Sequence, residues 1–165
     1  PEAIRYYQRA LRMDSLMNYA RVNLAAAYNV VGQNEEALEV LQKAAAIDAF
    51  NDHIYYSLGL LQYEMGSLPA ALENFQKAVN LGSVNPGLYY NYGIALQVQG
   101  KLKEAEQILL KGIALNPQAA NINYGLVYLY MQQQLPQKAM KYAQVLKGID
   151  PGNPEYQELF RSLGI

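Results

Sequence analysis

The sequence predicts an all-α fold in which one unit is used several times, and three observations carry that reading. The chain is self-similar at a step of 34 residues: Gly32, Gly66 and Gly100 coincide, as do Ala37, Ala71, Ala105 and Ala139, and Leu41, Phe75 and Leu109. Each period holds two amphipathic segments; over 86–119 they carry Tyr89, Tyr92, Gly93 and Leu96, then Ala105, Leu109 and Gly112, with Gly100 between and Pro117 after. The composition, 52% hydrophobic and 16% charged over 165 residues, supplies enough apolar side chains for a substantial core.

A 34-residue period with small residues at these offsets resembles the tetratricopeptide repeat, whose helix-turn-helix units stack into a right-handed superhelical solenoid. The resemblance covers nearly the whole chain. It implies one tetratricopeptide repeat domain over 1–165, with a half repeat at 1–17, full repeats at 18–51, 52–85, 86–119 and 120–153, and a capping helix at 154–165. The offsets have a physical reason. Gly or Ala at the eighth and twentieth positions lets two helix backbones approach closely, while Leu, Tyr and Phe at the fourth, seventh, eleventh and twenty-fourth fill the space between helix pairs.

Taken in order, 1–17 reads as the second helix of a repeat whose first helix is missing, because Ala3, Tyr7 and Ala10 have the spacing of Ala105, Leu109 and Gly112. Pro1 suits a first helical turn, where its absent N–H costs nothing. The chain therefore reads as a piece of a longer protein, with an artificial N-terminus. The first full repeat carries Leu24, Ala25 and Tyr28, then Ala37, Leu41 and Ala44, and departs from the family at Arg21, where a large apolar residue is preferred. The second carries Tyr55, Leu58 and Gly59, then Ala71, Phe75 and Ala78; Gln62 and Ser83 depart, and Gly82 supplies the helix stop. In the third, Tyr92 takes the Leu position and Gly112 the Ala position. The fourth diverges most: Gln134 replaces the turn glycine, Val127 the small residue and Leu146 the alanine, while Leu135 and Pro136 keep a turn. Asp48, Asn116 and Asp150 are turn formers near the ends of second helices, and Pro117 and Pro151 stop those helices. Over 154–165, Tyr156, Leu159, Phe160 and Leu163 share one helix face opposite Glu155, Glu158, Arg161 and Ser162, as a capping helix near a natural C-terminus would.

Thirteen basic and fourteen acidic residues leave a net charge of −1, which provides no field for nucleic acid or an anionic membrane. The uncharged run 118–137 contains Asn121, Asn123, Gln132, Gln133 and Gln134, too polar for the roughly 20 apolar residues a bilayer span needs, so no membrane insertion is expected. No signal peptide or lipidation motif is present, and the absence of cysteine removes disulfide and thiolate chemistry while leaving the compartment open, cytoplasmic or periplasmic. His53 is the only histidine and reads as a solvated or groove-lining residue; without cysteine it makes no metal cluster. The run Gly82 to Gly87 lacks the lysine and preceding strand of a phosphate loop. Glu35, Glu36 and Glu39 read as first-turn charges favoured by the helix dipole. No catalytic residue, metal site or cofactor is expected, and the chain does not read as an enzyme.

What remains is a surface. The resemblance implies that first helices line a concave groove, with Tyr19, Val22, Asn23, Ala26 and Asn29 from the first repeat and His53, Tyr56, Ser57, Leu60, Tyr63 and Glu64 from the second. It continues with Tyr90, Asn91, Ile94, Gln97 and Val98, then Asn121, Tyr124, Tyr128, Met131 and Gln132. Of these, Tyr19, Asn23, Tyr56, Leu60, Tyr63, Tyr90, Asn91, Ile94, Asn121, Tyr124 and Tyr128 are the expected ligand residues. All eight lysines lie on second helices or the turns entering them. The basic clamp with which some members of the family grip carboxylate tails is absent, its positions holding Val22, Ala26, Ser57, Gly87 and Asn91. The expected function is a non-catalytic scaffold that takes a neutral or apolar peptide or partner segment, with tyrosine supplying contact area at low entropic cost. Two other readings stay open: an accessory array of a larger enzyme or envelope-assembly protein, recruiting substrate or packing against another domain, and glycan binding. Ala3, Ile4, Tyr7 and Leu11, left without a partner helix, predict self-association through the N-terminal face.

Overall fold

Left-handed backbone at fixed intervals punctuates the chain. Gly32, Gly66 and Gly100 have φ of +77°, +77° and +79°, and each follows a helix that it ends. A second bond closes each stop: the N–H of Gln33 reaches the carbonyl of Tyr28, Ser67 that of Gln62, and Lys101 that of Leu96, all at 2.8–2.9 Å. This six-to-one bond is the Schellman stop, which satisfies helix carbonyls that would otherwise be orphaned. Gln134 occupies the same place in the fourth repeat with φ of +59°, and Leu135 N–H bonds Tyr130 O at 2.8 Å. The turn therefore survives the loss of its glycine at the expense of a strained side-chain-bearing residue.

The computed structural model describes residues 2–165, so the expectation for Pro1 lies outside the described residues. Among these residues there are ten α-helices and no strand. They are α1 (Glu2–Met13), α2 (Asn18–Val30), α3 (Asn34–Ile47), α4 (Asp52–Glu64), α5 (Leu68–Asn80), α6 (Pro86–Val98), α7 (Leu102–Leu115), α8 (Ala120–Gln132), α9 (Pro136–Ile149) and α10 (Pro154–Leu163). None of these helices is long and apolar enough to cross a membrane. The chain forms two compact units, the first running to Ser83 and the second from Val84 to Ile165. In the first, α2 pairs with α3 and α4 with α5, while α1 packs on α2 and α3 on α4; in the second, α6 pairs with α7 and α8 with α9, while α7 and α6 pack on α8 and α10 packs on α9. Each unit is thus a stack of helix hairpins, the construction of an all-α repeat solenoid.

Asparagine and aspartate set the entries between hairpins. Asp14, Asp48, Asn116 and Asp150 each accept a hydrogen bond from the backbone N–H two residues on, at 2.9, 3.4, 3.2 and 3.2 Å. These Asx turns stand in for backbone turns. The same place in the second repeat holds Gly82, with φ of +86°, and Asn85 instead caps α6 by accepting from Gly87 N–H at 2.8 Å.

Small residues lie where helices touch. Ala37, Ala71, Ala105 and Ala139 are fully buried. A Cβ on Gly59 would sit 2.5 Å from the Phe75 ring, and one on Gly93 would sit 2.7 Å from Leu109 Cδ2. The fourth repeat repacks instead: Val127, Leu126 and Leu146 are all buried, and Asn123 fills the position of Tyr55 and Tyr89, its Nδ2 donating to Pro117 O and Ala119 O at 3.0 and 2.9 Å. A polar clasp ties three helices there. Tyr130 Oη donates to Glu106 Oε1 at 2.7 Å, Lys138 Nζ approaches the same oxygen at 3.4 Å, and the Tyr130 and Tyr142 rings stack at 5.9 Å. Burial first, then the Glu106 carboxylate, pushes both phenols up from their ordinary value.

Candidate ligand grooves

In the second unit, α6 and α8 run side by side and present matching stripes. Tyr90, Ile94, Gln97 and Val98 from α6 face Tyr124, Tyr128 and Gln132 from α8 across a groove of about 350 Å³. The i, i+4, i+7 or i+8 spacing places each set on one helical face. The two helices carry no Asp, Glu, Lys, Arg or His anywhere along their length. Gly125 makes room for the stripe, since a Cβ there would sit 3.3 Å from Tyr90 Cδ2 and so tighten the seat of that ring. The Tyr124 ring leans on Tyr156 of α10 at 5.8 Å, and Tyr156 meets Phe160 edge-on at 6.2 Å, so α10 supports one groove wall. Burial, followed by the carboxylates of Glu155 and Asp150, raises the Tyr156 phenol. Tyr128 stays 51% exposed. Both carboxamide atoms of Gln97 are buried without a hydrogen-bond partner.

Two grooves of the first unit are smaller and differ in chemistry. Val22, Ala26 and Asn29 of α2 face Ser57, Leu60 and Glu64 of α4 over a floor of Ala25, Leu41 and Leu61, enclosing about 130 Å³. Asn29 Nδ2 donates to Glu64 Oε2 at 2.6 Å, which closes one end with a carboxylate. A second hollow of about 240 Å³ brings Tyr19 and Asn23 together with Val22, Asn18, Asn51 and His53; Tyr19 is 65% exposed.

Of the eleven expected ligand residues, Tyr90, Ile94, Tyr124 and Tyr128 share the α6–α8 groove, Leu60 lines the α2–α4 groove, and Tyr19 and Asn23 line the hollow beside it. Four stand elsewhere. The Tyr56 ring leans on Phe75 at 6.3 Å, so the core takes up much of it. Asn121 turns its Oδ1 back to accept from Ile122 N–H at 2.9 Å, a local bond at the start of α8. Tyr63 and Asn91 are half-buried outside these three grooves. Asn18 and Asn51, at or just before the first residue of a first helix, join a hollow that offset reasoning gave to later positions. The buried, unpaired state of Gln97 has no sequence signal.

Sequence profiles described as tetratricopeptide repeat match residues 18–43, 56–120 and 99–154, and one described as TPR repeat matches 31–66. No curated protein sequence matches this chain significantly. Among solved structures, MamA is similar at 24% identity and a TM-score of 0.75, over 96% of this chain and 89% of that one. YrrB, described as a TPR protein with an unusual peptide-binding site, is similar at 21% identity and 0.75, over 91% and 77%. A thermophilic TPR protein of Thermus thermophilus is similar at 20% identity and 0.76, over 97% and 88%. These likenesses concern the fold. The profile matches at 56–120 and 99–154 alone take in more than half of the sequence, and the chain belongs to the tetratricopeptide repeat family, a family of protein-interaction scaffolds.

Proposed function

We propose that this chain is a non-catalytic protein-interaction scaffold, built from repeats at 18–51, 52–85, 86–119 and 120–153, that takes an uncharged apolar or aromatic partner segment in the α6–α8 groove. The observation that carries this reading is a groove of about 350 Å³ lined by three tyrosines, two glutamines and two aliphatic side chains, on helices that bear no charge. Such walls supply aromatic area, hydroxyls and carboxamides, and give a charged ligand no partner for its desolvated charge. The peptide-binding site described for YrrB, on the same fold, supports a peptide as the ligand class. A capped, uncharged octapeptide selected from a display library tests it by calorimetry. Tyr90→Ala and Tyr124→Ala should each weaken binding by about 2 kcal/mol, the scale of an aromatic hot spot. Selection of only acidic or basic peptides would overturn the reading.

A second observation favours self-association. No residue of α1 is buried, and Ala3, Ile4 and Tyr7 form with Ala27 and Val30 of α2, and Val31 just after it, an apolar hollow of about 400 Å³. In the second unit α6 lies against both α7 and α8, so the matching side of α1 and α2 has room for an amphipathic helix. The occupant we infer is a second copy of this chain, bound weakly. Sedimentation should show concentration-dependent dimers that Ile4→Glu/Tyr7→Glu abolishes; a monomer at every concentration would refute it.

A further inference from the structure

Gln97 combines two properties that the groove reading leaves unused. It lines the groove on the same stripe as Tyr90 and Ile94, yet neither its Nε2 nor its Oε1 reaches a hydrogen-bond partner, and both atoms are shielded from solvent. A polar group buried in this way has given up water and gained nothing in return. Ordinary hydrogen bonds contribute little net free energy because they replace bonds to water. For Gln97 that exchange has already taken place in the free protein, so bonds made by this carboxamide to a ligand are discounted on one side only.

A carboxamide presents a donor and an acceptor side by side in one plane. In an extended chain the N–H and C=O of a single residue point to the same side, as in a hydrogen-bonded pair of antiparallel strands. The two match. We propose that Gln97 is a main-chain clamp: on binding, its side chain swings into the groove and exchanges two hydrogen bonds with the N–H and C=O of one residue in an extended partner peptide. The flanking side chains of that peptide then lie against Tyr90, Tyr124 and Tyr128. This rests on the proposed function and deepens it, since it assigns the ligand an extended backbone recognised by its amide groups and not by charge.

The probe is the tightest capped, uncharged octapeptide from the library above, measured intact and with each main-chain amide N-methylated in turn. With the native protein, one methylation should lower affinity about tenfold, the scale of one lost bond. Gln97→Leu should weaken the intact peptide by at least as much and abolish the penalty at that one position, whereas Tyr90→Ala should weaken binding and leave the penalty in place. The free Gln97→Leu protein should melt at the native temperature or above, because it loses an unsatisfied amide. Full binding by Gln97→Leu, an unchanged methylation penalty, or a clear fall in its melting temperature would overturn the clamp while the groove reading stands. Failure of any uncharged peptide to bind, or indifference to Tyr90→Ala, would overturn the groove reading and the clamp with it.

Discussion

Gln134 shows how far a single position can depart from its neighbours in the register without losing the turn. Its φ of +59° is one that a side chain with Cβ adopts at a cost of about 1–2 kcal/mol, and the side chain itself is exposed. Gln134→Gly should therefore raise stability by about 0.5–1 kcal/mol, the strain relieved less the extra entropy of an unfolded glycine. A urea midpoint that falls would mean the glutamine contributes contacts that outweigh the strain. At this scale the sequence is legible where one residue type serves one backbone need. Gly32, Gly66 and Gly100, and the Asx turns at Asp48, Asn116 and Asp150, could be read directly. Asn121 could not, because its choice between the groove and Ile122 N–H depends on a rotamer.

At the scale of elements, helices were legible because a 34-residue period repeats the same faces, so that an ambiguous segment inherits the register of a clear one. The alanines that recur in that register at 37, 71, 105 and 139 are fully buried. Ala105→Leu should cost about 1–3 kcal/mol by overpacking the contact between helices, whereas Gln107→Leu, on the exposed side of α7, should leave the denaturation midpoint almost unchanged. Equal midpoints would mean that the faces of α7 have been exchanged. The uses of tyrosine were less legible. A tyrosine at a groove offset has ring enough to reach the neighbouring hydrophobic layer, and Tyr56 takes that option against Phe75 while Tyr90 lines the groove. Offset decides which helix face a residue occupies; the volume behind it decides whether the side chain faces outward or inward.

Along the sequence, charged side chains fall outside α6 and α8: the lysines are carried by α3, α5, α7 and α9, with Lys101 at the entry to α7. With a net charge of −1 and no charge along the groove helices, binding in the α6–α8 groove should change by less than about twofold between roughly 50 and 300 mM salt, since screening has nothing local to screen. A collapse of affinity over that range would point to an electrostatic ligand instead. The contact between Tyr124 and Tyr156 adds something that neither the groove nor α10 has separately. Lightly packed helices open far more often than the core does. Because Tyr124 is both a wall of the groove and a surface on which α10 rests, a ligand that holds its ring still also slows the opening of that helix. Occupancy would thus be written into the amide exchange of 154–163, so that α10 serves as a gauge for a site it does not line.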